Sequence, residues 1–176
     1  MHGSHWITVS NINCDSNTIN VYDSAYAYID MDTKHQICSL VRPACDILTL
    51  RMPNIQRQPN SFDCGVFAIA TATELALGRD PRLCYWDTTR MRIHLIQCLE
   101  QGKMESFPQK EHRRIPLGNQ YKKTMSIKIF CICRMPNDTS KAMVKCDSCR
   151  KWMHKECMGL DQAASVEAVW YCSSCK

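Results

Sequence analysis

No stretch of the 176 residues approaches the run of about 18 apolar residues that a membrane-spanning helix needs. The N-terminal segment MHGSHWITVS also lacks a basic stretch followed by an apolar one, so it shows no secretory signal. These absences predict a chain without a membrane partner, in a reducing compartment where disulfides are rare. A hydrophobic content of 45% with 22 Lys/Arg and 17 Asp/Glu residues suits a folded globular protein rather than a disordered one.

Cysteine, in contrast, is abundant, since the chain has 13. Outside an oxidising compartment, such a number indicates metal ligation or catalysis. Cysteines and one histidine recur at short spacings through residues 131–175, whereas the other six cysteines are scattered singly. Of those six, we interpret all except Cys64 as buried or incidental, namely Cys14, Cys38, Cys45, Cys84 and Cys98.

From residue 131 the pattern is C-x-C, twelve residues, C-x-x-C, four residues, H-x-x-C, fourteen residues and C-x-x-C. A short turn with two cysteines delivers two thiolates to one zinc ion, which takes four ligands in a tetrahedron. The pattern therefore predicts two structural zinc ions rather than disulfides. A segment of about 45 residues cannot bury a core sufficient for stability, so metal binding must supply the folding free energy.

The order Cys-Cys-Cys-Cys-His-Cys-Cys-Cys, with Trp152 two residues before His154, resembles the plant-homeodomain (PHD) finger family over residues 130–175. In the related RING finger the histidine usually comes one ligand earlier, so a ubiquitin-ligase role is the less favoured alternative. The resemblance implies an interleaved cross-brace with two sets of ligands: Cys131, Cys133, His154 and Cys157 for one ion, and Cys146, Cys149, Cys172 and Cys175 for the other.

The same resemblance implies a histone-tail site, because some PHD fingers hold a trimethylated lysine in an aromatic cage by cation–π attraction. The matching positions are Phe130, Met143 and Trp152, while Asn137 stands where some members carry another aromatic residue. Asp147 matches a residue that can pair with an arginine of the tail. The alternative is that Phe130 and Trp152 only pack the zinc scaffold.

Charge is concentrated in the middle of the chain. Residues 103–128 contain seven Lys/Arg and two Asp/Glu, two prolines and no sustained apolar period. We interpret this segment as a solvated basic linker between a region at 1–102 and the finger at 129–176. Weak, sequence-independent contact of the linker with nucleic acid is the alternative.

Residues 1–102 show patterns of both strands and helices. Alternation and β-forming residues predict strands at 5–12, 18–23 and 47–52. Turn residues before an apolar run predict a buried helix from Asn60/Ser61 to Gly78, and a second helix is predicted at 88–101. Together with the finger, these elements predict an α+β fold.

Four residues in this region have catalytic chemistry. Cys64 falls at the opening of the predicted buried helix, where peptide dipoles favour a thiolate. His5 opens one predicted strand and Asp23 closes the next, so neighbouring strands would bring a base and its orienting acid to one end of a sheet. The Gln58 amide could donate to a developing oxyanion. Taken singly, each residue also fits a purely structural role.

The ordered set His5-Trp6, VYDS at 21–24 and QPNSFDCGVF at 58–67 resembles the Ulp/SENP-type cysteine proteases, which remove SUMO and related ubiquitin-like modifiers. The resemblance implies a papain-like half-domain that hydrolyses amide or isopeptide bonds through a thioester. It implies roles for five residues: Cys64 as nucleophile, His5 as base, Asp23 as its orienting partner, Gln58 as oxyanion donor and Trp6 in the tunnel for the Gly-Gly tail.

Members of this protease family carry a substantial stretch before the histidine, whereas four residues precede His5. We therefore expect an N-terminally truncated catalytic region. Two hypotheses follow: a nuclear isopeptidase that its finger targets to histone tails, with modifier conjugates as substrate, or a histone-tail reader whose protease region is inactive.

Overall fold

The structure, a computed structural model, describes residues 5–110, 120–161 and 169–176. It confirms the predicted mixture of helices and strands. The strands are β1 (Thr8–Ser10), β2 (Thr18–Tyr22), β3 (Ile47–Pro53), β4 (Tyr121–Phe130), β5 (Met135–Pro136), β6 (Met143–Lys145) and β7 (Trp152–His154). The α-helices are α1 (Met31–Val41), α2 (Cys64–Ala76) and α3 (Met91–Gln101), with short 3-10 helices at Pro81–Leu83 and Glu156–Met158.

The chain divides into two compact units. The first unit comprises Met1–Tyr28 and Leu50–Met125, and the second comprises Ile29–Thr49 and Ser126–Lys176. Among the described residues, no helix has the length and apolar character needed to cross a bilayer.

In the first unit, β1 and β2 form an antiparallel pair in which Thr8 is opposite Tyr22 and Ser10 is opposite Asn20. Every residue of β2 is buried. The first-unit part of β3 lies next to β2, and β4 follows on its other side. Because β1 and β2 are antiparallel, the residues just before β1 and just after β2 lie at the same end of the sheet.

Helix α2 is the centre of the first unit's core. It begins at Cys64 and ends before Gly78, which has a φ of +72° and so takes the left-handed conformation that glycine favours after a helix. The Thr8 hydroxyl donates to the Ala68 carbonyl at 2.7 Å, which ties β1 to this helix. The buried cluster around α2 contains Val66, Phe67, Ala70, Cys84, Trp86, Met91 and Phe107.

The second unit joins α1 to the zinc-finger segment. Helix α1 begins after Asp30, whose side chain accepts the Thr33 N–H. Arg134, just before β5, donates to the carbonyls of Pro43 and Cys45 and to the Asp46 carboxylate. In the finger, β6 and β7 form an antiparallel pair. The Arg134 contacts therefore hold the stretch after α1 to the finger.

Two features of the fold differ from the sequence predictions. Helix α1 and strand β4 were not predicted, and the segment 103–128 is not a solvated linker in its described parts. Phe107 is buried and the Lys110 N–H donates to the Tyr85 carbonyl, while β4 occupies the C-terminal part of the segment. The rest of it, residues 111–119, lies outside the described residues. The domain limits 1–102 and 129–176 stay predictions.

Candidate functional site

The first candidate site lies at the end of the sheet where β1 begins and β2 ends. His5 precedes β1 and Asp23 follows β2, as the strand ends predicted. The His5 Nε2 lies 2.9 Å from the Asp23 Oδ2, and the Asp23 side chain is almost fully buried. The His5 ring also contacts the Tyr26 ring edge-on, with centroids 4.8 Å apart. The two predicted residues are therefore brought together in hydrogen-bonding contact.

The second oxygen of Asp23 is held by the backbone. Its Oδ1 accepts the N–H groups of Ala25 and Tyr26 at 2.7 and 2.8 Å. A carboxylate that accepts hydrogen bonds on both of its oxygens is fixed in orientation. Lys122, which the sequence analysis missed, donates to the Asp23 carbonyl at 2.8 Å, and burial lowers the pKa of this lysine.

Cys64 is the first residue of α2 and is buried. Its neighbour Gly65 lies against Trp6, because a Cβ at Gly65 would be 3.5 Å from the indole Cδ1. Trp6 directly follows His5, so this contact places the nucleophile and base candidates in the same region. Trp6 is 62% exposed, which leaves its outer face open to a ligand.

Gln58 is held at both ends of its side-chain amide. The Ser24 hydroxyl donates to the Gln58 Oε1 at 2.7 Å, and the Gln58 Nε2 donates to the Asn60 carbonyl at 2.5 Å. The Gln58 N–H also donates to the Ser24 carbonyl at 3.1 Å. The two contacts with Ser24 were not predicted, since they join residues 34 positions apart in sequence.

The turn before Cys64 is braced by its own polar groups. The Asn60 Oδ1 accepts the N–H groups of Phe62 and Asp63, and its Nδ2 donates to the Asp63 Oδ2 at 2.7 Å. Arg92 on α3 donates to the Asp63 Oδ1 through Nε at 2.9 Å and through Nη2 at 2.5 Å. A guanidinium that donates twice to one carboxylate fixes geometry well. The turn is thus anchored to α3 immediately before the cysteine.

The second candidate site is the pair of Cys/His clusters. Cys131, Cys133, His154 and Cys157 form one group and Cys146, Cys149, Cys172 and Cys175 the other, with the ligand atoms of each group within 4.8 Å of one another.

Distances within these groups fit zinc. The Cys149 and Cys172 sulfurs lie 3.9 Å apart, close to the edge of about 3.8 Å that a tetrahedron with Zn–S bonds of about 2.3 Å requires. The His154 Nδ1 lies 3.3 Å from the Cys133 sulfur and 4.0 Å from the Cys157 sulfur. The two groups therefore have the donor chemistry and spacing of two structural zinc ions.

The cysteines of the two clusters differ in the direction of their pKa shifts. Burial opposes ionisation of Cys146, but N–H groups of Cys172, Cys149 and Ser148 point at its sulfur and bring its pKa down to about 6. Burial raises the pKa of Cys157 to about 12, and the neighbouring thiols contribute to that rise. A cation at the centre of each cluster would stabilise all four of its ligands in their metal-binding forms, including the thiol of Cys157.

The predicted cage residues lie on or near one face of the finger. In the β6–β7 pair, Met143 is opposite His154 and Lys145 is opposite Trp152, so the Met143 and Trp152 side chains project to the same face. Trp152 is 44% exposed. Phe130 at the end of β4 and Trp152 both line a groove of about 660 Å³, whereas Met143 does not.

Two further predicted tail contacts are exposed. Asn137 is on the surface directly after β5. The Asp147 Oδ2 accepts the Trp170 N–H at 2.8 Å, and its Oδ1 lies 3.8 Å from the Arg150 guanidinium. Asp147 thus has an internal structural contact and retains acceptor capacity toward solvent.

Comparison with known sequence families gives two matches. The Ulp1 protease family, C-terminal catalytic domain, matches residues 1–104, and the PHD-finger family matches residues 131–175. The first match contains the His5, Asp23, Gln58 and Cys64 positions, and the second contains all eight candidate zinc ligands.

Several curated proteins are similar over short stretches. Lysine-specific demethylase phf2 of Danio rerio is 33% identical over 52 residues, which is 29% of this chain and 5% of that protein. Lysine-specific demethylase 7A of Homo sapiens is 33% identical over 27% of this chain and 5% of its own length. The nucleosome-remodeling factor subunit NURF301-like of Caenorhabditis elegans is 42% identical over 27% of this chain and 2% of its own length. The chain therefore spans only a small part of these relatives.

Proposed function

Because the chain belongs to the Ulp1 protease family, we propose that its first unit is a cysteine peptidase that acts on conjugates of SUMO or a related ubiquitin-like modifier. The observation that supports this proposal most is the His5–Asp23 contact at the end of the sheet near the start of α2. It gives a general base an orienting carboxylate in the region of a helix N-terminal cysteine.

In the proposed reaction, the Cys64 sulfur attacks the carbonyl carbon at the modifier's C-terminus while His5 takes the thiol proton. The oxyanion accepts an N–H from Gln58. Collapse breaks the C–N bond, and His5 passes the proton to the departing lysine amine. Water then attacks the thioester, again giving a proton to His5, and releases the modifier acid and the Cys64 thiol.

The test uses the full zinc-loaded chain with SUMO and ubiquitin probes that carry a C-terminal electrophile. Covalent labelling of the wild type is expected, with loss in Cys64→Ala and strong slowing in His5→Ala and Asp23→Asn. Cys98→Ala, which removes another buried cysteine of the first unit, is the matched control and should label normally. Absence of wild-type labelling by either probe, with zinc retained, favours the alternative of an inactive protease region.

For the second unit we propose a zinc-dependent reader of histone tails that acts in the nucleus. The exposed Trp152 beside Phe130 and the shared face of Met143 support it, as do the names of relatives that act on histone lysines or remodel nucleosomes. Cation–π attraction to Trp152 would hold a methylated lysine, and Asp147 would pair with an arginine of the tail.

The reader proposal is tested by titrating trimethylated and unmodified histone-tail peptides against the full chain. Tighter binding of a trimethylated peptide, lost in Trp152→Ala, is expected. Leu40→Ala, which removes an exposed apolar side chain of α1, is the control. Equal affinities for both peptides would remove the cage assignment.

A further inference from the structure

Ser24 is a buried serine that directly follows Asp23 in the chain. Only 3% of its surface is exposed. Its hydroxyl donates to the Gln58 Oε1 at 2.7 Å, and its carbonyl accepts the Gln58 N–H at 3.1 Å. Ser24 thus forms hydrogen bonds with Gln58 through both its hydroxyl and its carbonyl, although 34 positions separate the two residues.

The orientation of a glutamine amide is decided by its partners, because its oxygen and nitrogen ends have nearly the same shape. A carbonyl can only accept, so the Asn60 carbonyl requires the Gln58 nitrogen on its side. The oxygen end then faces Ser24, whose hydroxyl supplies the donor that it needs. Without that donor, the Oε1 would lose its partner in a partly buried place.

The same arrangement leaves the second N–H of the Gln58 amide to donate to an oxyanion. A side-chain amide nitrogen has two hydrogens, and one of them is donated to the Asn60 carbonyl. A hydrogen bond accepted by the amide oxygen polarises the group and strengthens its remaining N–H as a donor. Ser24 therefore acts on both the orientation and the strength of that N–H.

We propose that Ser24 is a positioning residue that aligns the Gln58 amide for the oxyanion. The inference rests on the proposed peptidase function. It also links two parts of the site, because Ser24 joins the acid that orients His5 to the group that stabilises the oxyanion.

The first test measures kcat and KM with SUMO or ubiquitin carrying a fluorogenic C-terminal amide. Ser24→Ala should lower kcat about tenfold, less than the hundredfold or more that follows loss of an oxyanion donor itself. KM should change by less than about twofold, since the alignment matters only in the transition state. Ser24→Thr keeps the hydroxyl and should recover most of the loss. Ser10→Ala removes a hydroxyl that accepts the Ile12 N–H elsewhere in the unit and is the control.

A double-mutant cycle separates positioning from general damage. In a Gln58→Ala background, Ser24→Ala should cause no further loss of kcat, because the amide it positions is gone. Fully additive losses would overturn the proposal.

A second readout does not depend on turnover. The side-chain amide resonances of Gln58 in a nitrogen-15 NMR spectrum should move in Ser24→Ala and stay in place in Ser10→Ala. If the wild type turns over no substrate, the proposed peptidase function is wrong. The Gln58 resonances then still show whether Ser24 fixes the orientation of the Gln58 amide. Unmoved resonances in Ser24→Ala would refute the positioning.

Discussion

The ammonium of Lys145 lies 5.9 Å from the centre of the Trp152 ring, and the two residues are directly opposite in the β6–β7 pair. The finger thus places one of its own cations against the aromatic ring that is the main element of the proposed cage. A cation over the face of an indole is attracted by its electron density, and a second cation nearby is repelled. In the proposed reader, Lys145 would therefore compete with a methylated lysine for Trp152.

Removing this cation should strengthen binding of a trimethylated peptide. We expect Lys145→Gln to tighten binding about two- to fivefold, since a cation–π contact at an exposed site contributes about 0.5–1 kcal/mol. Isothermal titration with trimethylated and unmodified tails measures the change. Lys141→Gln removes the same charge at a position paired with Glu156 and is the matched control. Equal gains in both variants would indicate a general charge effect instead.

Loss of one zinc ligand should remove metal from the finger without affecting unrelated cysteines. Cys146→Ser takes a ligand from one of the two clusters, so zinc content should fall from two ions per chain to one or fewer. Cys45→Ser alters a cysteine of the second unit that belongs to neither cluster and should retain both ions. Metal analysis of the purified chains gives the answer, and unchanged zinc in Cys146→Ser would contradict the assignment.

The contacts of Arg134 predict an effect outside the finger. Arg134→Ala leaves the Pro43 and Cys45 carbonyls without their donor and should destabilise the second unit by about 1–3 kcal/mol. Hydrogen exchange of α1 and the stretch after it should become faster, while zinc content stays the same.

Lys151 is the matched control for Arg134, because both side chains pair with Asp46. Its exposed ammonium lies 3.5 Å from the Asp46 carboxylate, and such a surface ion pair contributes little to stability, so Lys151→Ala should change hydrogen exchange of the same stretch far less. Similar exchange in the wild type and Arg134→Ala would show that the stretch after α1 folds without this contact.

The parts of the structure that could be predicted from the sequence are the parts fixed by local spacing. Cysteines one or two residues apart need only a turn to share an ion, so the ligand pairs followed from spacing. The grouping of these pairs into two interleaved clusters came from the resemblance to PHD fingers and agrees with the structure. The His5–Asp23 contact followed from strand ends, because β1 and β2 are consecutive and antiparallel.

Of the missed elements, helix α1 lacked such a local signal, since it buries only Ile37 and Cys38 and shows no clear apolar period. In β4, the stretch MSIKI at 125–129 alternates apolar and polar residues, so a strand signal was present there and was overlooked in a segment rich in basic residues. The contact between Gln58 and Ser24 could not be predicted because it depends on the packing of distant segments. The sequence offered one clue to Ser24, its position directly after Asp23.

The ammonium of Lys122 donates to the Asp23 carbonyl, while burial holds the pKa of this lysine below 10.5. Between its folded-state pKa and 10.5, the unfolded chain binds more protons than the folded one, so this residue makes stability rise with pH. Below that window the lysine is charged in both states and its burial penalty is fully present.

Lys122→Met removes the penalty, so its advantage over the wild type should be greatest near neutral pH and should shrink as pH rises through the alkaline range. Denaturant unfolding of both proteins at several pH values measures the difference in free energy of unfolding. Lys123→Met, at the exposed next position of β4, is the matched control and should show no such trend. A difference between Lys122→Met and wild type that is flat or grows with pH would mean that the ammonium is not desolvated beside Asp23.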